Sequence, residues 1–341
     1  MFARWFKNLF QKSPASAPAR PLNAAAPRFV PPATPEKPSR AEPPPARQKA
    51  PARQEAAAPP VAAGAVVSHP AYGVISIRIQ RQDAATACYL VDETLLIDTG
   101  CVWARPALRK TLLELGADKT IREVVNTHDH DGAIGNNALL LELARPKVFA
   151  HYLAIPEIRF PDEDGAARLG NAPVEAEPLP EKLHTAHCEL EVLPLPGHSP
   201  GHIGLFEPGQ RWLFCADLNA VGAGELELLD ADGPRWLASL DKAIALRPAC
   251  MYDARGAVWS QENEVVARLE RERGFLLELR NQILQKAPDA GTLQELTRKV
   301  FEQPEWLKRV SCDGWQALLD APAPVRCKFV RSFLCDMHAP G

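Results

Sequence analysis

From Tyr72 onward the chain alternates short β-branched runs with amphipathic helical stretches, and that alternation restricts it to layered α/β folds. Val74-Ile-Ser-Ile-Arg-Ile has the period-two pattern of a half-buried strand, and Ala87-Cys-Tyr-Leu-Val and Leu95-Leu-Ile-Asp follow as further strands. Arg105 to Leu115 reads as a helix, Glu123-Val-Val as a strand, Gly135 to Ala144 as a helix and Lys147-Val-Phe-Ala as a strand. After Gly256 the pattern turns helical and stays so. Val265, Leu269, Phe275, Leu276, Leu279 and Ile283 form one stripe on a long charged helix, with shorter helical pieces at Leu293 to Phe301, Trp315 to Leu319 and Cys327 to Met337.

The 341 residues, 46% of them hydrophobic, suffice for a full core. Thirty-nine basic against forty-two acidic side chains leave a net charge of -3, so no global field points to nucleic acid, and none is expected as a partner. Eight cysteines stand without a C-x-x-C pair, which argues against a disulfide framework and for a reducing, cytoplasmic setting; Cys215 and Cys250 read as small buried hydrophobes. No apolar run approaches the roughly 18 residues that a membrane span needs.

Three short segments carry chemistry. Thr127-His-Asp-His-Asp follows a strand and precedes a helix, so two histidines sit at i and i+2 on a turn at a strand's C-terminal edge, where ligand sites of open α/β sheets lie. Pro196-Gly-His-Ser-Pro-Gly-His is a tight turn presenting His198, and Leu213-Phe-Cys-Ala-Asp is a strand ending in Asp217. Each is weak alone. In this order, with Asp98-Thr-Gly upstream, they resemble the metallo-β-lactamase superfamily, whose pattern runs D-T-G, T-H-x-H-x-D-H, P-G-H and a strand ending in G-D.

The resemblance implies an αββα sandwich over residues 66–260, and the helical pattern beyond it makes 261–341 a helical C-terminal extension. It implies His128, His130 and His198 as the imidazoles of a first metal site, Asp217 as the neighbouring carboxylate, and Asp98 as a support for the metal loop. Such a donor set suits one divalent ion, Zn²⁺ first and Fe²⁺ as the alternative. The departures partition cleanly. Gly132 and Ala133 stand where the family has D-H, and Arg255 stands where it has a late histidine, so all three residues that would hold a second metal, beyond the usually bridging Asp217, are missing and the first set is complete. Arg255 is always charged and cannot ligate a cation; turned inward it would favour an anionic group on the substrate or balance Asp217, and turned outward it would do neither. Asp129 and Asp131 flank the histidines as candidates for orienting a water, with helix capping the alternative role for Asp131. His202 and His151 read as structural, and His69, His184, His187 and His338 have no supporting context.

The N-terminus differs in kind. Phe2, Trp5, Phe6, Leu9 and Phe10 make an aromatic stripe bordered by Arg4, Lys7 and Lys12, an amphipathic helix over residues 1–12 that suits a membrane surface or a protein groove. Fourteen of the thirty-three prolines fall in the first sixty residues, so residues 13–64 are expected to be a disordered tether. Three functions follow as expectations: a mononuclear hydrolase of an ester, thioester or anionic small molecule; an inactive binding or scaffold module recruited through residues 1–12; and a mononuclear iron dioxygenase of the persulfide dioxygenase type, with iron on His128, His198 and Asp217.

Overall fold

The computed structural model describes residues 64–81, 84–161, 173–219, 228, 230–302, 304–310 and 315–336. The expected helix over 1–12 and the expected tether over 13–64, except its last residue, lie outside the described residues.

Strand β1 (Val66–Ala71) forms an antiparallel edge on β2 (Val74–Arg81), which pairs with β3 (Ala84–Val91) and through it with β4 (Leu95–Ile97). From β4 the sheet continues in parallel through β5 (Glu123–Asn126), β6 (Lys147–Ala150) and β7 (Glu177–Pro178), giving seven strands in sequence order. The second sheet has the order β13-β12-β11-β10-β9-β8, from Val258–Trp259 at one edge through Cys250–Asp253, Trp212–Ala216, Ile203–Glu207 and Glu189–Pro194 to Lys182–His184. Its one parallel pair is β11 with β12, and helix α5 (Gly233–Ala245) lies in the crossover between them.

The period-two alternation of β3 explains the layering. Tyr89 and Val91 face the other sheet and join Phe214, Tyr252, Ile203 and Leu205 in the inter-sheet core. Cys88 and Leu90 face the opposite way, onto helices α1 (Arg105–Glu114), α3 (Asn137–Leu143) and α4 (Ile155–Arg159); a short helix, α2 (Asp131–Ile134), precedes α3. The far face of the second sheet packs on α5 and on α6 (Glu262–Lys286), α7 (Leu293–Phe301), α8 (Gln316–Asp320) and α9 (Ala323–Asp336). Helices, two sheets and helices make the αββα sandwich. The C-terminal helices share one hydrophobic cluster with Leu193, Leu213 and Met251 of the second sheet, so they close its outer face.

Phe214 sits at the middle of the inter-sheet layer, 1% exposed, stacked on Tyr252 at 4.6 Å and edge-on to Tyr89 at 5.5 Å. Phe214→Ala should therefore lower stability by about 3–5 kcal/mol, read as a lower urea midpoint at an unchanged m-value. The cysteines behave as expected: Cys215 and Cys250 are buried, and all seven described cysteines are free. Among the described residues no helix is long and apolar enough to cross a membrane.

Candidate metal centre

Five loops meet at one end of the sandwich. Asp98 follows β4, His128 and His130 follow β5, His198 follows β9, Asp217 follows β11 and Arg255 follows β12. Cross-sheet bonds fix that end: Ile203 N–H donates to Thr127 O at 2.9 Å, Ala87 N–H to Ala254 O at 2.9 Å, and the Tyr89 hydroxyl to Asp253 O at 2.6 Å. Two residues there hold positive φ without being glycine, Asp98 at 59° and Ala216 at 48°. For an alanine that conformation costs roughly 1–3 kcal/mol. Ala216 also sits at the irregularity where β11 departs from its register with β12, which turns Asp217 inward.

The three histidines form the one group of metal-ligating side chains found among the described residues, their ligand atoms all within 4.8 Å of one another. Hydrogen bonds set the tautomer of His128. Thr127 donates its N–H to Asp98 Oδ1 and its hydroxyl to Asp98 Oδ2, both at 2.8 Å. Its hydroxyl proton is thereby committed, so the 3.0 Å contact with His128 Nδ1 has that ring nitrogen donating and leaves a lone pair on Nε2. Among the described residues His128 Nε2 is buried with no hydrogen-bond partner, an arrangement that costs about 1–3 kcal/mol if nothing else occupies the space. His130 Nδ1 and His198 Nε2 face each other at 2.8 Å. Burial first, then the neighbouring His130, holds His128 and His198 well below the usual histidine pKa, so both are neutral. Neutral imidazoles converging with an unclaimed buried lone pair are what a divalent cation requires, and the donor set fits one.

Asp217 leans over this cluster, Oδ2 at 3.4 Å from His128 Nε2 and 4.0 Å from His198 Nε2, while its Oδ1 is 3.7 Å from Arg255 Nη2. Arg255 thus points inward, its side chain 19% exposed. Its backbone is tied down as well: its N–H donates to Asp253 Oδ1 at 3.0 Å and its carbonyl accepts from Arg78 Nε at 3.0 Å. Asp253 is buried, which pushes its carboxyl up to about 6. Asp98 is pushed up to about 7 by burial, against the pull of the two Thr127 bonds.

The positions that depart from the motif have structural work of their own. Ala133 is fully buried among the helix-side core residues, and its carbonyl accepts from Thr99 N–H at 2.8 Å and Asn126 Nδ2 at 2.9 Å. Gly132 is flanked by open space. Gly132, Ala133 and Arg255 offer no metal-ligating atom. Of the flanking aspartates, Asp131 Oδ1 accepts from Val102 N–H at 3.2 Å, while Asp129 Oδ1 is buried without a hydrogen-bond partner among the described residues.

His202, read as structural from the sequence, packs behind the cluster and meets the Asp217 backbone. It is fully buried, donates from Nδ1 to Leu195 O at 2.9 Å, and accepts the Asp217 N–H on Nε2 at 3.2 Å. Burial takes its pKa to about 4, so it stays neutral in that role. His151 is half-buried at the end of β6, and His69, His184 and His187 are exposed; His338 lies outside the described residues. Sequence reasoning missed the asparagine brace, in which Asn136 Nδ2 donates to the carbonyls of Thr99, Gly100 and Cys101 at 2.8, 3.0 and 2.9 Å. Its signal was the Asn136-Asn137 pair just behind the metal loop. It also missed Trp236, which no local pattern marks.

An αββα sandwich with a histidine cluster at its strand ends defines a class of metal-binding proteins, and the comparisons agree. A family model described as the metallo-beta-lactamase superfamily matches residues 82–252, and the chain belongs to that superfamily as a divergent member with a single, three-histidine metal site. A probable metallo-hydrolase of Bacillus subtilis is 30% identical over 131 residues, 37% of this chain and 57% of that protein. A hydroxyacylglutathione hydrolase of Nitrosococcus oceani is 34% identical over 110 residues, 30% of this chain and 36% of that protein. The chain therefore spans about half or less of the length of these relatives. A metallo-beta-lactamase family protein from Thermus thermophilus shares the fold, with a TM-score of 0.56 at 21% identity over 80% of this chain and 96% of that one.

Proposed function

We propose that this chain is a metal-dependent hydrolase with a mononuclear centre, acting on a small ester or thioester that carries an anionic group. The observation that carries the reading is the buried cluster of His128, His130 and His198 with its unclaimed Nε2. These three imidazoles would hold the ion, with Asp217 as a fourth donor, and Zn²⁺ is the metal that best suits them. A divalent cation there supplies Lewis-acid polarisation of a carbonyl and lowers the pKa of water to roughly 7. Asp98, through Thr127, keeps His128 in the tautomer that presents Nε2. Asp129 is the residue we assign to orienting the attacking water, because its buried Oδ1 is unclaimed; Asp131, whose Oδ1 holds the loop at Val102, is the alternative.

Arg255 is assigned to the substrate's anionic group. Its guanidinium is anchored toward Asp217 yet partly open, so it can offer remaining N–H donors to a carboxylate. An acylglutathione is a thioester with free carboxylates, so the name carried by relatives such as the Nitrosococcus oceani protein accords with this reading. The test is turnover by the zinc-loaded full chain of paired esters and thioesters, one of each pair carboxylated. Arg255→Ala should raise KM for the carboxylated member about tenfold or more and leave the uncharged member within about twofold, since a charge-assisted hydrogen bond contributes roughly 1.5–3 kcal/mol. No turnover of any ester or thioester by zinc-loaded protein would sink the hydrolase reading. Iron chemistry is the second reading, favoured by the closeness of the Asp217 carboxylate to His128 and His198, a donor set that also suits Fe²⁺. Iron in the purified protein with thiol-dependent oxygen uptake would favour it over the first.

A further inference from the structure

Histidines that bind metal usually have their second ring nitrogen held by an acceptor, which sets the ring's orientation. His128 has Thr127 for this, but His198 Nδ1 is buried with no hydrogen-bond partner among the described residues. The polar contacts of its other nitrogen, Nε2, lie on the side of the ligand cluster, 2.8 Å from His130 Nδ1, so the back of the His198 ring is held by packing.

The packing comes from α5. Asp232 caps its first turn, accepting from Arg235 N–H at 3.0 Å, and donates its own N–H to Gly197 O at 2.7 Å. One turn in, the Ser239 hydroxyl donates to Pro196 O at 2.6 Å. Between them Trp236, fully buried, meets the His198 ring edge-on at 5.6 Å and 78°. Its indole N–H donates to Leu218 O at 2.9 Å, immediately after Asp217. One side chain therefore touches the loops that carry two of the four candidate ligands.

Trp236 is itself braced from the C-terminal helices. Its ring is 5.0 Å from that of Trp315, which stacks on Phe275 of α6 at 4.7 Å and 4° and lies 6.2 Å from Phe329 of α9. The C-terminal region thus reaches His198 through a continuous pile of rings, each with little room to turn. We propose that Trp236, backed by Trp315 and Phe275, is a positioning residue for His198 and Asp217, so that the C-terminal helices set the metal affinity of the centre. The inference rests on the metal-centre reading above.

Zinc affinity of the full chain, measured by competition with a chromophoric chelator, tests it beside thermal unfolding of the same samples. Trp236→Leu and Trp315→Leu should bind Zn²⁺ about 10–100-fold more weakly while still unfolding cooperatively, the range seen when groups that orient a metal ligand are removed. Trp236→Phe, which keeps a ring edge for His198, should recover most of the loss. Trp306→Leu is the control. Trp306 is as deeply buried, but its ring contact with Phe275 at 5.6 Å and its N–H bond to Val300 O both lie within the C-terminal helices. It should lower the melting temperature and leave zinc affinity within about twofold. Should the leucine variants fail to fold, Ser239→Ala, which cuts only the tie to Pro196, should weaken zinc binding severalfold. Folded Trp236, Trp315 or Ser239 variants with wild-type affinity, or a Trp306 variant weakened as much as they are, would overturn this inference alone; a wild-type chain that binds no zinc overturns the metal-centre reading along with it.

Discussion

Purified from zinc-supplemented medium, the wild-type chain should carry about one zinc per molecule, and the His128→Ala, His198→Ala double variant close to none. The expectation follows from the geometry of the donors. His128 is positioned by Thr127 and Asp98, and His198 by the loop between β9 and β10, so the two come from different parts of the chain and neither can replace the other. Removing both leaves His130 and Asp217, too few protein ligands for a tight site. Elemental analysis reads the result directly, and hydrolysis should fall with the metal. Chelation should also destabilise the wild type, because an ion that binds only the folded state contributes about 4 kcal/mol when present at roughly a thousand times its dissociation constant. The double variant should show no such chelator-dependent drop in melting temperature. A metal-free wild type, or a double variant that retains stoichiometric zinc, would contradict the assignment.

Gly197→Ala is expected to be the most damaging single-methyl change in the protein. Gly197 has φ +142°, a conformation that side-chain-bearing residues rarely adopt, and a Cβ there would collide with the backbone of Trp236. The strain alone costs about 1–3 kcal/mol. The clash adds to it, because α5 cannot retreat: it is tied to the loop by Asp232 and Ser239 and packed behind by the C-terminal helices. A total loss of about 4 kcal/mol or more, measured by urea unfolding, is the expected outcome. A variant within about 1 kcal/mol of wild type would show that the loop has room it does not have here.

The histidine cluster was readable in advance because its parts are short and ordered. Thr127-His-Asp-His lies directly after a strand, and Pro-Gly-His marks its own turn, so residue type and local geometry coincide. The helix Gly233–Ala245 escaped notice, although its Asp232 cap and Pro234 are ordinary start signals. Its function comes from what it lies against, and no periodicity reports that. Arg255 shows the boundary most clearly. Its identity excluded a ligand role at once, but whether the guanidinium turned in or out depended on the turn after β12, the Asp253 carboxylate that holds its N–H, and the reach to Asp217.

Local pattern in the chain was thus enough to establish the alternation of strands and helices, because adjacent residues carry the period of a strand or a helix, while the three histidines and the loss of second-site ligands were legible through the resemblance of short segments, in their order, to the superfamily's motifs. Tertiary structure alone decided that Arg255 meets Asp217, that His202 holds the Asp217 backbone, and that the C-terminal helices stand behind His198 through Trp315 and Trp236. Those contacts join residues far apart in the chain, and burial and close packing, rather than any local preference, select them.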